Sequence, residues 1–217
     1  MQAEFDLPFI DTGPDDAVHR LVLAHGAGAP MDSPFMDTMA GLLAGKGIAV
    51  TRFEFPYMAV RRREGRKKPP DRAPVLIQAW RQALAECRQR FPQSRFSIGG
   101  KSMGGRMATM LAAEEDRPGD LVSVVTLGYP FHPPGKPEKT RTDHFAAIDL
   151  PMLMLQGTRD PFGTESEVPE YPLPANSTIF WVPDGDHDFK PRKASGWTHE
   201  GNLKAAAEAI AGFLDSF

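Results

Sequence analysis

The chain has a single cysteine, no long apolar run and no excess of positive charge. One cysteine, Cys87, cannot form an internal disulfide or a cysteine-based zinc site, and it lies in a run of helical spacing where a buried thiol is typical. No apolar stretch approaches the roughly 18 residues that a membrane-spanning helix needs. A net charge of −3 argues against nucleic acid as a partner, because nucleic-acid binders usually carry a basic face.

The amino terminus carries acidic residues and no basic start before an apolar stretch, so no signal peptide is predicted and we expect the protein in the cytoplasm, away from membranes. The hydrophobic fraction of 41% and the charged fraction of 24% are typical of an ordinary globular protein. No linker or internal repeat divides the 217 residues, so we expect one domain over residues 1–217.

Short apolar runs alternate with longer stretches of helical spacing, which predicts an α/β fold with a mostly parallel sheet and helices on both faces. The apolar runs are HRLVLAHG, GIAVTRFEF, RFSIGG, LVSVVTLGY, PMLMLQG and STIFWVPDG. The helical stretches are SPFMDTMAGLLAGKG, APVLIQAWRQALAECRQRF, SMGGRMATMLAAEED and NLKAAAEAIAGFLDSF. A basic loop at 61–74 and a proline-rich connection at 131–151 interrupt the pattern. Neither is long enough for a second domain, so we expect no lid domain.

Loops at the carboxyl ends of parallel strands meet at one edge of the sheet, where the chemistry is expected. The residues that follow the apolar runs there are His25-Gly26-Ala27-Gly28, Gly100-Lys101-Ser102, Gly128-Tyr129-Pro130, Gly157-Thr158-Arg159-Asp160 and Asp184-Gly185-Asp186-His187.

The stretch FSIGGKSMGGRM, residues 96–107, allows three interpretations. A phosphate-binding loop needs a glycine at position 95, which is arginine, and a wrapping segment that a strand running into Gly99 does not leave. Ser102 could instead cap the following helix, a common use of serine. The third interpretation is a nucleophile in the pattern G-x-S-x-G, with a strand before and a helix after it. The choice between the last two depends on partners elsewhere in the chain.

A serine nucleophile needs a base and a carboxylate that orients the base. His187 is the best-placed base, because it follows an apolar run downstream of Ser102, and Asp160 is the acid between them in the required order. His132 also follows a strand but lacks a suitable acid upstream. The residues His19, His144 and His199 read as solvent or helix-end histidines.

Attack on a carbonyl also requires backbone amides aimed at the developing oxyanion. We expect one donor from Met103, the residue after the nucleophile, and the other from Ala27 in the glycine-spaced loop after the first apolar run. His25 is expected to fix this loop by hydrogen bonds.

No cofactor is predicted. Asp184, Asp186 and Asp188 resemble part of a calcium loop, but the position that needs glycine is Phe189 and the closing glutamate is missing. We therefore expect no metal.

Taken together, these motifs resemble the α/β-hydrolase superfamily over nearly the whole chain. The segments LAHGAGAPMDSPFM, FEFPYM, GGKSMGGRM, LGYPFHPPGKPEK, QGTRDPFG and DGDHDFKPRK look like a compact group that includes testis-expressed-type proteins and a regulatory subunit of a histone acetyltransferase complex. Dienelactone-hydrolase-like enzymes and small carboxylesterases are more distant, and the former use a cysteine where this chain has Ser102. The resemblance implies Ser102, Asp160 and His187 as the triad and no known substrate.

We therefore expect a serine hydrolase that cleaves a small carboxylic ester or thioester through an acyl-enzyme. Lys101, His25 and Tyr129 are placed as substrate-binding residues. The basic residues near the strand ends are either solvated or form a rim for an anionic acyl substrate. They are Lys101, Lys136, Lys139, Arg141, Lys190, Arg192 and Lys193, with Arg61, Arg62 and Arg63. Two alternatives stay open, a catalytically quiet protein-interaction module and a nucleotide binder. The sequence gives no oligomeric state.

Overall fold

Seven strands form one sheet in a computed structural model that describes residues 4–217. The strands are β1 (Phe9–Thr12), β2 (His19–Ala24), β3 (Ala49–Phe53), β4 (Arg95–Lys101), β5 (Leu121–Leu127), β6 (Met152–Gly157) and β7 (Ser177–Val182). Their order across the sheet is β1-β3-β2-β4-β5-β6-β7. All neighbours are parallel except β1, which pairs antiparallel with β3 at one edge.

Residues 4–217 form five helices, of which four lie between strands and the last follows β7. They are α1 (Pro34–Ala44), α2 (Pro56–Glu64), α3 (Ala73–Arg90), α4 (Met103–Ala112) and α5 (His199–Leu214). Short 3₁₀ turns lie at Phe145–Ala147 and Val168–Glu170. No helix in residues 4–217 is long and apolar enough to cross a bilayer. The mostly parallel sheet with helices on both faces confirms the predicted fold class, and within the same residues no lid domain is inserted between strands.

Two apolar cores lie on opposite faces of the sheet because successive strand residues point to opposite sides. In β2, Val22 and Ala24 pack into the core on the α3 and α4 side, while Leu21 and Leu23 pack into the core on the α1 and α5 side. The central strand β2 is therefore held from both faces. This rigid frame positions the loops at the carboxyl edge.

In helix α3 the apolar residues at helical spacing form the face that packs against the sheet. The residues expected on its inner face are buried, and they are Leu76, Ala79, Trp80, Ala83, Leu84 and Cys87. Trp80 packs its ring edge-on against Phe53, with the ring centroids 4.7 Å apart. Burial also raises the pKa of the Cys87 thiol to about 12, so this thiol stays protonated and unreactive.

Two elements differ from the expected pattern. Strand β1 was not expected, and helix α2 covers the first residues of the segment interpreted as a basic loop. The helix begins at Pro56, whose fixed φ suits the first helical turn, and ends at Gly65 in the left-handed conformation (φ 67°).

Candidate active site

Ser102 lies in a strained turn between β4 and α4. Its backbone has φ 53° and ψ −117°, a conformation that non-glycine residues rarely adopt. The Ser102 N–H donates to Leu127 O at 3.0 Å, which fixes the turn to β5. Ser102 occupies the N-cap position of α4, but its hydroxyl makes no capping hydrogen bond to the helix. The hydroxyl side chain lines a cavity instead, so the helix-cap interpretation does not describe it.

Glycines on both sides of the turn allow three backbones to pass close together. A Cβ atom at Gly100 would lie 2.5 Å from the carbonyl oxygen of Ala24, and one at Gly104 would overlap the carbonyl oxygens of Ala24 and His25. Any side chain at these positions would push β4 or α4 away from β2. The glycine spacing in the sequence thus has a steric cause.

His187 and Asp160 meet at the carboxyl edge of the sheet. His187 Nδ1 is 2.8 Å from Asp160 Oδ2. A carboxylate only accepts hydrogen bonds, so Nδ1 is the donor in this contact and Nε2 is the ring nitrogen left to act as a base. The His187 side chain is 22% exposed and lines the same cavity as Ser102, whereas Asp160 is fully buried.

The Asp160 carboxylate is fully satisfied. Oδ2 also accepts from Gln156 Nε2 at 3.1 Å, and Oδ1 accepts from the Phe162 N–H at 2.9 Å. Gln156 in turn accepts from the Tyr129 N–H at 2.8 Å. The buried carboxylate therefore keeps one orientation toward His187.

The loop that carries His187, residues 184–190, is closed by its own aspartates. The Asp186 carboxylate accepts from the N–H groups of Asp188 and Lys190, and the Asp186 N–H donates to Lys190 O at 3.0 Å. The Asp184 side chain pairs with Arg159 and Arg192, and its hydrogen bond to Arg192 lowers its pKa to about 2. All three aspartates of the Asp-x-Asp-x-Asp stretch thus have protein partners. Over residues 4–217 no cluster of side chains with metal-binding geometry is present.

The loop after β2 carries Ala27, which also lines the cavity. His25 Nδ1 lies 2.7 Å from Gly26 O, and the Tyr57 hydroxyl donates to Ala27 O at 3.1 Å. The carbonyl and N–H of a trans peptide point in opposite directions, so anchoring Gly26 O turns the Ala27 N–H away from His25. Met103 is the first residue of α4, where an N–H has no intrahelical acceptor.

The cavity has a volume of about 870 Å³ and mainly apolar walls. Phe35 and Met36 come from the start of α1, Leu203 from α5, and Phe162 from the loop after β6. The volume lies within the range of small-molecule sites. Ser102 and His187 open into this space, so a bound molecule can reach both.

Two residues expected to bind substrate do not line the cavity. His25 is fully buried, its Nε2 accepts from the Phe55 N–H at 3.1 Å, and burial lowers the pKa of its imidazole. Tyr129 is also fully buried, and its hydroxyl donates to Arg141 O at 2.7 Å. Tyr129 belongs to the core on the α3 and α4 side, because the chain leaves β5 with this side chain on that face. The structure thus places His25 and Tyr129 in the protein interior, outside the lining of this cavity, and the hydrogen bond from Phe55 joins His25 to the segment after β3.

Lys101 does line the cavity, but its ammonium already has protein partners. Nζ donates to His187 O at 2.6 Å and lies 3.3 Å from Asp188 Oδ1. Burial lowers the pKa of this lysine, and the neighbouring aspartates partly offset the effect. Of the other basic residues considered for a rim, Lys190 lines the cavity, whereas Arg192 is paired with Asp184.

Some cavity residues were not found from the sequence. His199 was interpreted as a solvent or helix-end histidine, yet it lines the cavity at the start of α5 and its Nε2 lies 2.9 Å from Asp188 O. Phe162 packs on His187 with ring centroids 4.4 Å apart. For Phe162, the only signal is its place two residues after Asp160 at a strand end.

Solved structures with this fold include several named hydrolases. A structure described as an alpha-beta serine hydrolase homologue from Coxiella burnetii is 16% identical, with a TM-score of 0.71, and the match covers 98% of this chain and 95% of that one. A dienelactone hydrolase from Anabaena variabilis is 20% identical, with a TM-score of 0.72 and coverage of 97% and 92%. A monoacylglycerol lipase from Paleococcus ferrophilus is 17% identical, with a TM-score of 0.70 and coverage of 98% and 99%.

At these identities the structural similarities establish the fold alone. Residues 17–215, most of the chain, match a protein family described as an alpha/beta hydrolase domain. The superfamily inferred from the motifs is thereby confirmed: this chain belongs to the alpha/beta hydrolase family.

Proposed function

We propose that this member of the family is a serine hydrolase in which Ser102, His187 and Asp160 act as the catalytic triad. The observation that carries the proposal is the position of His187, between the buried Asp160 carboxylate at 2.8 Å and the cavity that Ser102 lines. A buried carboxylate on one imidazole nitrogen and a serine in a strained turn across one cavity are the parts that acyl transfer needs.

In the first step Ser102 Oγ attacks the acyl carbonyl while His187 Nε2 takes the hydroxyl proton. Asp160 stabilises the imidazolium that forms. The tetrahedral intermediate then collapses, His187 returns the proton to the leaving alcohol or thiol, and the acyl group stays on Ser102. Water attacks the acyl-enzyme by the same proton route and releases the acid.

The oxyanion of the tetrahedral intermediate is assigned to the N–H groups of Met103 and Ala27. The Met103 amide lies at the start of α4, where the helix dipole adds positive potential. The Ala27 amide is held by the bond from His25 to Gly26 O. Loss of one such donor lowers turnover by roughly 10²–10³-fold.

The proposed substrate is a small carboxylic ester or thioester with an apolar acyl group. Phe35, Met36, Phe162 and Leu203 supply apolar walls, and the roughly 870 Å³ cavity limits the size of the acyl group. Within the family, the sequence motifs favour the compact group of testis-expressed-type domains. Localisation in the cytoplasm stays a prediction from the sequence.

A serine-reactive fluorophosphonate probe tests the proposal directly. Folded wild-type protein is expected to be labelled at Ser102, as located by mass spectrometry of the digest, and to hydrolyse p-nitrophenyl esters. S102A should lose labelling and lose ester hydrolysis by roughly 10⁴-fold or more. Folded protein that resists the probe and hydrolyses no ester or thioester of a short acyl series would favour the interaction-module alternative.

A further inference from the structure

Lys101, the residue directly before Ser102, carries a charge in a buried position. Its side chain is only 9% exposed and lies in the wall of the cavity, with Nζ 5.3 Å from the centre of the Phe35 ring. An unpaired ammonium in such a place is costly, so its partners indicate what holds it there.

Both polar partners of Lys101 belong to the loop that carries His187. Nζ donates to the carbonyl oxygen of His187 itself at 2.6 Å and lies 3.3 Å from Asp188 Oδ1. A hydrogen bond from a charged donor is about twice as strong as a neutral one. The last residue of β4 is thus bonded to the backbone of His187, which lines the same cavity as Ser102.

Other contacts hold this loop from elsewhere. Arg159 donates to Asp184 O at 3.0 Å from the loop after β6, and Asn202 donates to Phe189 O at 2.9 Å from α5. These contacts fix the two ends of the loop. The Lys101 contact lies in the middle, at His187, and comes from β4, next to the contact of His199 Nε2 with Asp188 O at 2.9 Å.

Gly128 encloses the Lys101 contact from the side of β5. Its φ of +65° is one that L side chains rarely adopt, and a Cβ there would lie 3.0 Å from His187 O and 3.3 Å from Lys101 Nζ. The backbone of Gly128 therefore borders the ammonium and the carbonyl with no space left for a side chain.

We propose that Lys101 is a positioning residue that holds the backbone of His187 at a fixed distance from Ser102. The inference rests on the proposed function for its catalytic consequence, but the bond itself is independent of substrate. This role replaces the expectation that Lys101 binds an anionic group of the substrate, because its ammonium already donates to His187 O and pairs with the Asp188 carboxylate.

Lys190 provides a matched control. It lines the same cavity, its side chain has no ion pair within the described residues, and it is exposed. Removing its charge changes the potential in the cavity and leaves the Lys101 contact in place. K101M and K190M therefore separate a structural role from a charge effect on the substrate.

The kinetic test compares K101M and K190M with wild type on two matched esters, one neutral and one bearing a carboxylate. K101M is expected to lower kcat by about 10²-fold for both esters with little change in KM, because a small displacement of the base costs that much. K190M, which removes a charge from the cavity wall, is expected to raise KM for the anionic ester more than for the neutral one, a pattern that differs from the equal loss of kcat expected for K101M. If the K101M loss is confined to KM of the anionic ester, the proposal is overturned.

Hydrogen exchange supplies a readout that needs no activity. In K101M the backbone amides of residues 184–190 are expected to exchange about tenfold faster than in wild type, with K190M unchanged. Equal exchange in K101M and wild type overturns the positioning role. If wild type neither hydrolyses esters nor reacts with the phosphonate, the proposed function fails. The exchange result still tests whether Lys101 holds residues 184–190 in place.

If K101M does not fold, K101R serves in its place. The guanidinium keeps the charge and moves the donor atoms. We therefore expect K101R to lower kcat equally on both esters, by less than K101M does. A K101R enzyme with wild-type kcat on both esters and wild-type exchange would count against the proposal.

Discussion

His25 Nδ1 lies 2.7 Å from the carbonyl oxygen of Gly26, so an imidazole that never reaches the cavity orients the peptide whose N–H belongs to Ala27. The other ring nitrogen accepts from the Phe55 N–H, which ties the loop to the end of β3. Burial lowers the pKa of His25, so the ring stays neutral and keeps one donor and one acceptor near neutral pH. The His25 ring therefore fixes the orientation of the loop after β2, which carries the proposed oxyanion donor Ala27.

Replacing His25 by phenylalanine keeps much of the ring volume and removes both hydrogen bonds. We expect H25F to lower kcat/KM for ester hydrolysis by about 10²-fold, because the Ala27 N–H loses its orientation. Y57F is the control. It removes the hydroxyl bonded to Ala27 O at 3.1 Å, which is also 3.4 Å from Gly26 O, and it should lose less because the shorter bond from His25 to Gly26 O remains. A folded H25F protein with wild-type kcat/KM would show that the hydrogen bonds of His25 are not needed to orient the Ala27 N–H.

The second prediction concerns Asp160. Its Oδ2 accepts from both His187 and Gln156, and its Oδ1 accepts from the Phe162 N–H, so in either orientation the NH2 group of an asparagine would face a donor. D160N is expected to lower kcat by about 10⁴-fold while the fold is kept, because the imidazole loses its correct tautomer. Steady-state hydrolysis near neutral pH measures the loss, with D143N at an exposed carboxylate as the control. A D160N loss below tenfold would remove Asp160 from the triad.

Much of the fold could be predicted because buried parallel strands and amphipathic helices leave strong periodic signals. Helix α3 and the buried strand β6 are examples, since their apolar residues match the burial of the structure. Strand β1 left no such signal, because Phe9–Thr12 is an edge strand of four half-buried residues that mixes polar and apolar side chains. Helix α2 was not predicted, because the run of arginines in its last turn is typical of an exposed loop.

The strand-end residues could be found from the sequence, but the directions of their side chains could not. Ser102 and His187 line one cavity, whereas Tyr129 lies in the core. A residue just after a strand can face either layer, and the two-residue period of the strand ends there. The partners of Lys101 depend on a contact across 86 residues of chain, which no local pattern contains.

A third prediction follows from Arg62, which joins α2 to the loop before α1. Its guanidinium donates to the fully buried Glu54, at 2.9 Å from Nε, and to Asp32 at 2.9 Å and 2.7 Å. R62Q is expected to lower the free energy of unfolding by about 3 kcal/mol, since Glu54 then keeps a buried charge without its partner. Arg62 is itself 42% exposed, so the loss stays at the low end for such pairs.

Urea denaturation measures the R62Q effect, and two further variants define its cause. R63Q changes an exposed arginine whose nearest carboxylates are 4.0 Å away, so it should be nearly neutral. The double variant E54Q/R62Q should lose less stability than R62Q, because no buried carboxylate remains unpaired. A double variant less stable than R62Q would contradict the charge argument.

The last prediction uses the pKa of His144, which burial and the nearby Arg106 lower from 6.5 to about 4. Between these values the unfolded chain binds more protons than the folded one, so stability rises with pH, and lowering the pH from 7.5 to 5 destabilises the protein. H144Q keeps a donor for the Thr109 hydroxyl, 2.9 Å from His144 Nε2, but cannot titrate. The drop in unfolding free energy between these pH values should be smaller in H144Q by on the order of 1 kcal/mol, measured by urea denaturation. Equal drops in H144Q and wild type would mean that His144 titrates alike in the folded and unfolded chains.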